Sequence, residues 1–438
     1  MEPPIPWRKS RRKVWPGHIG SGKTAVVDID IRAVTDDEFP AFARAVGTAF
    51  GSTPDEQGIA EWRATHEIER TIAGFDDGEI VGTAGAYSFE LTLPGAVAEP
   101  AAGVTIVGVR PTHRRRGLLT RMMRHQLDDV VRRGESIMVL TASEASIYER
   151  FSYGAAAFGS NWTLRTESLE LEHPSRAGGR MRMIDNAEGR KVVPGIFDRA
   201  RSRHVGAVTR SDALWDALYE DRPQDRERRS WFTVVHESDD DEPDGFARYR
   251  IEWNRNAPAS AGGPQNDLYV MDLDALDDEV EAALWDYLVH IDLVVSLRTR
   301  NRPVDEPLQW RLGDRRRIQF DAVHDHLWVR IVDPAVALAA RRYGTDDTLV
   351  IELVDGFRPE NDGCWRVEGD GEGATAARTN DSPDLSLGGA ELGSIYLGGV
   401  APTLLARANR VHEVTPGALA RADAFFATQP APWCATHF

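Results

Sequence analysis

One short segment constrains the fold of this chain more than any other. An apolar strand runs into a basic, glycine-containing turn and then into an amphipathic helix, in the sequence Val107-Gly-Val-Arg-Pro-Thr-His-Arg-Arg-Arg-Gly-Leu-Leu119. A glycine between strand and helix leaves backbone amides unobstructed, and a helix N-terminus adds partial positive charge where an anion sits. Arg114, Arg115 and Arg116 supply the countercharge. The segment therefore predicts a cradle for the pyrophosphate of an acyl-CoA.

Length and composition indicate a soluble protein of several domains. At 438 residues the chain is too long for one ordinary core, so roughly two to four domains of common size are expected. No apolar run approaches the ~18 residues of a membrane span. Cys364 and Cys434 lack the spacing of a disulfide framework or of a zinc site. We expect a cytoplasmic protein that has no metal and no membrane partner.

The charge balance excludes a general nucleic-acid-binding protein. Lys+Arg 52 against Asp+Glu 69 gives a formal net charge of −17, and nucleic-acid binding depends on neutralising phosphates. Lysine is scarce, since the chain has only Lys9, Lys13, Lys23 and Lys191. Such a composition fits either a salt-rich cytoplasm or the codon bias of a GC-rich genome. The overall composition says little about the substrate, and a locally acidic pocket for cationic amines remains an alternative.

Two motif look-alikes lie near the N-terminus. Gly17-His-Ile-Gly-Ser-Gly-Lys-Thr24 fits the P-loop pattern, but a P-loop follows a strand and opens a helix, whereas here a strand pattern from Val27 comes after it. Ser10-Arg-Arg-Lys13 imitates a twin-arginine export signal without the apolar region that such a signal needs. We interpret residues 1–26 as a disordered basic extension or as the result of an upstream start site.

The first structured region is predicted to span residues 27–165. A capping box at Thr35-Asp-Asp-Glu38 precedes a helix, and a second helix after the arginine turn stops at Gly134. The predicted strands are Ile80–Phe89, Leu91–Leu93, Val104–Val109 and Ile137–Leu140. This alternation of strands and helices predicts an α/β domain that contains the arginine turn.

The second region, residues 166–315, repeats a similar order of elements and is typical of a duplicated domain. Where the arginine turn should fall, it has Leu273-Asp-Ala-Leu-Asp-Asp-Glu279, with no glycine, no arginine and four carboxylates. Such a turn would repel a pyrophosphate. We therefore interpret this copy as degenerate and structural.

The third region, residues 316–438, is predicted to start with a strand at Leu327–Val332, followed by a helix that Asp333 and Pro334 begin. Further strands and two closing helices follow. The region has no recognisable catalytic constellation, which indicates a binding or scaffolding module. The predicted fold class of the whole chain is α+β.

Several motifs in series resemble one family. Residues 107–120 fit the R/Q-x-x-G-x-G/A acetyl-CoA motif of the GNAT N-acetyltransferase superfamily, with Leu119 in place of the last small residue. The later landmarks are Ala142-Ser-Glu144, Ile147-Tyr-Glu-Arg-Phe-Ser-Tyr-Gly154, Leu392-Gly-Ser-Ile-Tyr-Leu-Gly398, Ala408-Asn-Arg410 and Phe438. Together they make residues 27–438 similar to the enhanced intracellular survival (Eis) acetyltransferases.

This resemblance implies both architecture and activity. It implies two tandem GNAT-like α/β domains, the second degenerate, then a sterol-carrier-like α+β domain, in a homohexamer. It further implies acetyl-CoA-dependent N-acetylation of small cationic amines, aminoglycoside-like or polyamine-like. A protein lysine acetyltransferase is an alternative with the same chemistry. A lipid or sterol carrier with vestigial GNAT domains is an alternative from another class, although the intact arginine turn and Tyr148 argue against it.

The resemblance also assigns roles to single residues. The cofactor would be bound by the backbone of Val107, Gly108 and Val109, by the turn Arg114, Arg115, Arg116, Gly117, Leu118, Leu119 and Thr120, and by Ser143 and Glu144. Tyr148 would be the general acid and the carboxylate of Phe438 the general base. Without the resemblance, Tyr148 is typical of a half-buried aromatic residue, and Phe438 of a frayed chain end.

The amine side of the site departs from the family pattern. Trp62 falls where the family has an aromatic residue, although a buried core tryptophan is an equal alternative. Ile106 stands where a phenylalanine is expected, and His437 stands where a glutamate precedes the terminal phenylalanine. Both changes bear on aminoglycoside binding and leave acetyl transfer untouched. The imidazole of His437 is also a rival for the general base.

Overall fold

The structure, a computed structural model, describes residues 29–220, 231–253 and 266–438. The predicted extension 1–26 and its two motif look-alikes lie outside the described residues. The strands in chain order are β1 (Asp30–Ala33), β2 (Ile72–Asp76), β3 (Glu79–Leu93), β4 (Val97–Val109), β5 (Ile137–Thr141), β6 (Gly154–Arg165), β7 (Arg180–Ile184), β8 (Trp231–Glu237), β9 (Pro243–Trp253), β10 (Asn266–Ala275), β11 (Val294–Arg302), β12 (Ile318–Ile331), β13 (Asp347–Val354), β14 (Gly363–Gly369), β15 (Ala374–Thr379), β16 (Leu385–Gly388) and β17 (Val411–Glu413).

Helices alternate with these strands. In chain order they are α1 (Phe39–Phe50), α2 (Glu56–Thr65), α3 (Leu118–Arg133), α4 (Asn186–Ala200), α5 (Asp212–Tyr219), α6 (Asp278–Val289), α7 (Leu308–Arg311), α8 (Pro334–Ala340), α9 (Gly389–Ile395), α10 (Pro402–Arg407) and α11 (Ala418–Phe426). Mixed helices and strands in this order confirm the predicted α+β class.

The predicted helix boundaries of the first region follow local chemistry. The backbone N–H of Thr35 donates to Glu38 Oε2 at 3.0 Å, at the position of the capping box. Glu38 also pairs with Arg32 at 2.6 Å, and this hydrogen bond lowers the pKa of Glu38 to about 2. α1 ends at Gly51 and α3 at Gly134, both with positive φ, as expected for glycine after a helix C-terminus.

Strand β3 differs from the prediction. The sequence pattern indicated two strands separated near Glu90, whereas β3 runs without interruption from Glu79 to Leu93. Glu90 is exposed between the buried Phe89 and Leu91. It therefore fits the alternation of a strand with one buried face and does not mark a turn.

The first two regions share one sheet because each contributes its last strand to the other. Within the described ranges, twelve strands form the large sheet in the order β1-β2-β3-β4-β5-β12-β6-β11-β10-β9-β8-β7. β12, which begins just after residue 315 and which we count with the second region, pairs with β5 of the first, and β6, from the end of the first region, pairs with β11 of the second. β12 and β6 also pair with each other at the centre.

This exchange interlocks the two hydrophobic cores. Trp162 and Leu164 of β6 pack in the core of the second region, against Trp285 of α6. Trp328 of β12 packs in the core of the first region, against Leu140 of β5. The large sheet continues across both predicted boundaries, so it does not divide the chain there. The divisions 27–165, 166–315 and 316–438 remain predictions.

The position of β12 corrects one expectation from the sequence. The strand predicted at Leu327–Val332 was assigned to the third region, but β12 belongs to the large sheet. The third region instead builds its own small sheet, β15-β14-β13-β16-β17 within the described residues. Its core is continuous with one face of the large sheet, since Phe89 and Val139 pack in the same cluster as Ile351 and Tyr396.

Glycines allow α9 of the third region to lie directly on the large sheet. A Cβ atom at Gly393 would lie 2.2 Å from the backbone oxygen of Val329 in β12, and one at Gly154 would lie 1.9 Å from the backbone oxygen of Ala390. Backbone atoms at these distances cannot move aside independently. The close approach gives a physical reason for two landmarks of the family resemblance, Gly154 and the segment 392–398.

We predict opposite effects for two helical glycine-to-alanine substitutions. Gly393→Ala should lower the free energy of unfolding by about 1–3 kcal/mol, because the added methyl group overpacks against backbone. The matched control is Gly195→Ala in α4, where a Cβ would meet nothing within 4 Å. It should raise stability by about 0.5–1 kcal/mol. Urea unfolding midpoints measure both, and a neutral Gly393→Ala would contradict the tight contact.

Candidate active site

A cleft opens where β4 and β5 stop pairing. Their parallel pairing runs from Ala101 opposite Ile137 to Val104 opposite Leu140, while β4 continues to Val109 along β3. We call the space between residues 105–109 of β4 and the end of β5 the first cleft. Val107, Gly108 and Val109 therefore have β3 on one side and the cleft on the other.

A bulge shapes the wall of the first cleft. Ile106 has φ 48°, and the register between β3 and β4 shifts at this point. The hydroxyl of Thr83 donates to the backbone oxygen of Ile106 at 3.0 Å, which holds the bulge. A bulge re-aims backbone groups that a regular ladder would occupy. Gly108 has a packing role as well, since a Cβ there would lie 2.7 Å from Ala49 of α1.

The arginine turn ends the first cleft at the N-terminus of α3. Arg115 (φ 63°) and Gly117 (φ 81°) both adopt left-handed conformations, and α3 begins immediately afterwards at Leu118. Among the described residues, no side chain caps this helix and its first turn has no acidic residue. Its first N–H groups, at Leu118, Leu119 and Thr120, therefore remain available to an anion.

The arginines of the turn are accessible. Arg114, Arg115 and Arg116 are all exposed, and Arg114 Nε donates to the backbone oxygen of Val109 at 3.1 Å. Nearby, His113 Nε2 lies 2.9 Å from Asp76 Oδ2, which ties the turn to β2. The combination of free amides, a helix N-terminus and exposed guanidinium groups can bind a di-anion.

Tyr148 lies beside the end of β5. It follows the exposed Ser143 and Glu144 and a short 3-10 turn, Ala145–Ile147. Its ring packs in one cluster with Val104 and Leu140, the last paired residues of β4 and β5. Burial, and then the Glu144 carboxylate, raise the pKa of Tyr148 above its ordinary value. The phenol is therefore protonated at neutral pH and can donate a proton.

The last residue reaches the same strand end from the other face of the sheet. Thr141 Oγ1 donates to the main-chain oxygen of Phe438 at 2.9 Å. The Phe438 ring packs against Phe89 with a centroid distance of 4.9 Å, and Gly103 leaves room for both rings. This hydrogen bond joins two residues that are far apart in the sequence, Thr141 and Phe438.

Aromatic residues extend from Phe438 towards α2. Ring centroids are 5.4 Å apart from Phe89 to Tyr87 and 5.4 Å from Tyr87 to His66. His66 Nδ1 lies 2.7 Å from the backbone oxygen of Trp62, and burial lowers the pKa of His66. Sequence reasoning missed His66, Tyr87, Phe89 and Thr141. The predicted strand Ile80–Phe89 marked Tyr87 and Phe89 only as strand residues, and the other two carried no signal.

The three residues expected on the amine side lie in two places. Trp62 and Ile106 pack at the edge of one cluster, with Phe39 and Phe42 of α1. His437 is exposed, its ring 6.0 Å from that of His326. His437 also lines a cavity of about 780 Å³ that includes Thr141 and residues of the second region. The structure thus brings Trp62 and Ile106 together and sets His437 on the far side of the terminus.

The corresponding cleft of the second region lacks an open helix N-terminus, and the cavity lined by His437 extends into it, where Met271 and Asn301 line its walls. β10 and β11 pair in parallel from Asn266 opposite Val294 to Val270 opposite Thr299 and then part; we call the space beyond this point the second cleft. Only Leu276 and Asp277 separate β10 from α6, and the Asp277 carboxylate accepts the N–H groups of Glu279 and Val280 at 2.9 Å. The side chain therefore occupies the place of an external anion.

A buried ion cluster occupies the interior of the second cleft. Arg302 donates to Glu281 Oε1 at 2.7 Å, to Glu306 Oε2 at 2.9 Å and to the backbone oxygen of Leu273 at 2.8 Å. Burial, and then the Glu306 carboxylate, raise the pKa of Glu281. The turn between β10 and α6 therefore has neither a glycine nor an uncapped helix N-terminus.

We predict that replacing Arg302 lowers the stability of the protein in a pH-dependent way. Arg302→Met should cost about 3–5 kcal/mol of stability, because two buried carboxylates lose their cation. The pKa of Glu281, which burial already raises, then rises further, so the folded state holds a proton that the unfolded chain releases above its carboxyl pKa of about 4.5. Stability should therefore fall as pH rises from 5 to 8. Urea unfolding of Arg302→Met beside the exposed Arg300→Met tests this, and a pH-independent loss would contradict it.

The described residues include no helix that could span a membrane and no side-chain cluster that could hold a metal ion. None of the helices there is both long and apolar enough to span a membrane. Across residues 29–220, 231–253 and 266–438, no cluster of three or more His, Cys, Asp or Glu side chains could hold a metal ion.

Comparison with known proteins agrees with this architecture. Residues 30–156 and residues 206–331 each match a family described as Acetyltransferase (GNAT) domain, and residues 334–435 match the Sterol carrier protein domain. An uncharacterized N-acetyltransferase of Streptomyces avermitilis is 39% identical over 409 residues, covering 92% of this chain and 98% of that protein. N-acetyltransferase Eis of Mycobacterium tuberculosis is 30% identical over 406 residues, covering 90% of this chain and 96% of that protein.

A solved structure extends the likeness to the arrangement of the three regions. The crystal structure of Eis1 from Mycobacterium abscessus superposes with a TM-score of 0.82 at 33% identity, over 93% of this chain and 100% of that chain. Tandem GNAT domains followed by a sterol-carrier-like domain are thereby confirmed. The chain belongs to the Eis family of GNAT N-acetyltransferases.

Proposed function

We propose that this protein is an acetyl-CoA-dependent N-acetyltransferase of small cationic amines, aminoglycoside-like or polyamine-like. The observation that carries the proposal is the first cleft, where an uncapped helix N-terminus and exposed arginines lie at one end and Tyr148 and Phe438 at the other. The same proposal includes a homohexamer, which the family resemblance supports, and a cytoplasmic location, which the two unpaired cysteines support.

The residues along the first cleft suit the successive parts of acetyl-CoA. Its backbone edge at Val107, Gly108 and Val109 suits pantetheine, while the turn from Arg114 to Thr120 suits the pyrophosphate. Ser143 and Glu144 follow β5 and border the same opening. When bound, acetyl-CoA supplies the acetyl group as a thioester. The second cleft fits the same molecule poorly, because a pyrophosphate would meet the Asp277 carboxylate there.

Two groups of this chain would move protons. A Phe438 carboxylate oxygen accepts a proton from the substrate ammonium, directly or through water, so that the free amine attacks the thioester carbonyl, and the hydroxyl of Tyr148 donates a proton to the departing sulfur. The raised pKa of Tyr148 keeps that proton in place at neutral pH. Each such step contributes typically about 10²–10⁴-fold to the rate. The new amide bond forms as the carbon–sulfur bond breaks.

The amine would enter past aromatic residues. Trp62 and Ile106 line the side next to α1 and α2, and His66 and Tyr87 connect them to Phe438. Burial lowers the pKa of His66, so this imidazole stays neutral and does not repel a cation. His437 borders the cavity on the other side of the terminus.

Thiol release from acetyl-CoA over a panel of aminoglycosides, polyamines and lysine peptides tests the substrate class. Turnover with lysine peptides alone would contradict the proposed small cationic amines.

A charge placed at the arginine turn should abolish cofactor binding. Gly117→Glu sets a carboxylate at the N-terminus of α3, where it competes with the pyrophosphate and repels it. Gly134→Glu is a matched control, because Gly134 is also left-handed and open but lies at the other end of the same helix. Calorimetry should give one acetyl-CoA site per chain for the wild type and the control, and none for Gly117→Glu. Two sites in the wild type would contradict the degenerate second region.

Loss of the Tyr148 hydroxyl should slow chemistry and spare binding. Tyr148→Phe should lower kcat by at least ~10²-fold with little change in acetyl-CoA affinity. Tyr153→Phe is the matched control, since Tyr153 packs edge-on against Tyr148 at 6.0 Å but directs its hydroxyl to the sulfur of Met138. Steady-state kinetics with a saturating amine measures both. Equal losses in the two variants would indicate a packing effect and remove Tyr148 from the proposed mechanism.

A further inference from the structure

The C-terminal segment lies in the second cleft before it reaches the first. Trp433 Nε1 donates to the backbone oxygen of Asn301 at 2.7 Å, and Asn301 Nδ2 donates to the backbone oxygen of Cys434 at 2.8 Å. The backbone N–H of Trp433 donates to Val205 at 2.7 Å. Arg302, the cation of the buried cluster, lies 4.9 Å from the centre of the Trp433 ring. The segment is thus hydrogen-bonded to the second region on both sides.

A second set of contacts holds the residue two positions before the terminus. Arg210 Nε donates to Thr436 Oγ1 at 2.9 Å, and His326 Nε2 lies 3.2 Å from the backbone oxygen of Thr436. Arg210 is itself fixed by an ion pair with Asp272 of β10 and by the ring of Phe197, 4.2 Å away. Thr436 is buried. It therefore has a rigid partner at both its side chain and its backbone.

Asn301 is shaped for this contact. It has φ 53° and lies where the pairing of β11 with β6 shifts register, between Thr299 and Arg302. Its own N–H donates to Asn161 Oδ1 of β6 at 2.9 Å. The left-handed backbone directs the Asn301 oxygen and amide to successive residues of the segment. Such a conformation costs free energy and is retained where surrounding contacts determine it.

We propose that the second GNAT-like domain is a clamp for the C-terminal segment, with Asn301 and Arg210 as positioning residues that hold the Phe438 carboxylate at Thr141. The inference rests on the proposed role of that carboxylate as general base. A chain end is ordinarily frayed, and a catalytic group misplaced by ~1 Å can lose ~10²-fold in rate. The clamp supplies the order that the terminus lacks, through a domain that has lost its own cofactor turn.

The test removes the clamp without touching the first cleft. Asn301→Gly keeps the left-handed backbone and deletes the amide, and Thr436→Val deletes the hydroxyl that Arg210 contacts while preserving shape. Asn409→Gly is the matched control, because Asn409 is also left-handed (φ 58°) but lies on an exposed turn before β17. We expect kcat to fall at least ~10-fold in both clamp variants, with unchanged KM for acetyl-CoA and an unchanged control.

A double-mutant cycle separates positioning from general damage. A short C-terminal extension, which displaces the carboxylate, should lower kcat at least ~10²-fold, and Asn301→Gly or Thr436→Val should add no further loss in the extended chain. Losses that multiply in the extended chain would overturn the clamp.

Two other outcomes distinguish the two proposals. If the extension slows turnover but both clamp variants keep wild-type kcat, the clamp fails and the base stands. If the extended enzyme is fully active, both fail, and an inactive His437→Ala would then assign the base to His437.

Discussion

The structure depends on the hydrogen-bonded ladder that β12 forms between β5 and β6. Without the strand that the other region provides, each of the first two regions would have an open sheet edge, and an open edge is a liability for any sheet. The exchange closes both edges and carries Trp162 into one core and Trp328 into the other. β5, which borders the first cleft, is therefore held on its other side by a strand that the second region provides.

The same exchange explains how distant segments meet at one point. With β12 beside β5, the face of the sheet that carries Phe89 is available to the third region, and glycines let α9 settle there directly. The chain then returns along the second region, and its last residue, Phe438, contacts Thr141. The last part of this route is anchored in the protein interior, because Trp433, Cys434 and Thr436 are all buried.

Local features of the site could be predicted from the sequence, and long-range ones could not. The arginine turn, α3 and the degenerate turn at Asp277 depend on residues next to one another, so their patterns are complete in the chain. The partner of β12 is different, since an alternating pattern reports which face of a strand is buried and not which sheet it joins. His66, Tyr87 and Thr141 were missed for the same reason. These residues come close to Phe438 only in the folded chain.

The buried Arg302 cluster bears on the history of the second region. Regaining a cofactor turn there would require glycine and arginine near Asp277, and the cleft would also have to be emptied of Glu281, Glu306 and the guanidinium between them. Removing Arg302 first leaves two buried carboxylates without their cation, so a return that begins there passes through a destabilised protein. Removing Glu281 or Glu306 first leaves Arg302 with one carboxylate partner, and the guanidinium stays in place. A second cofactor site therefore needs several coordinated changes, and no single substitution restores it.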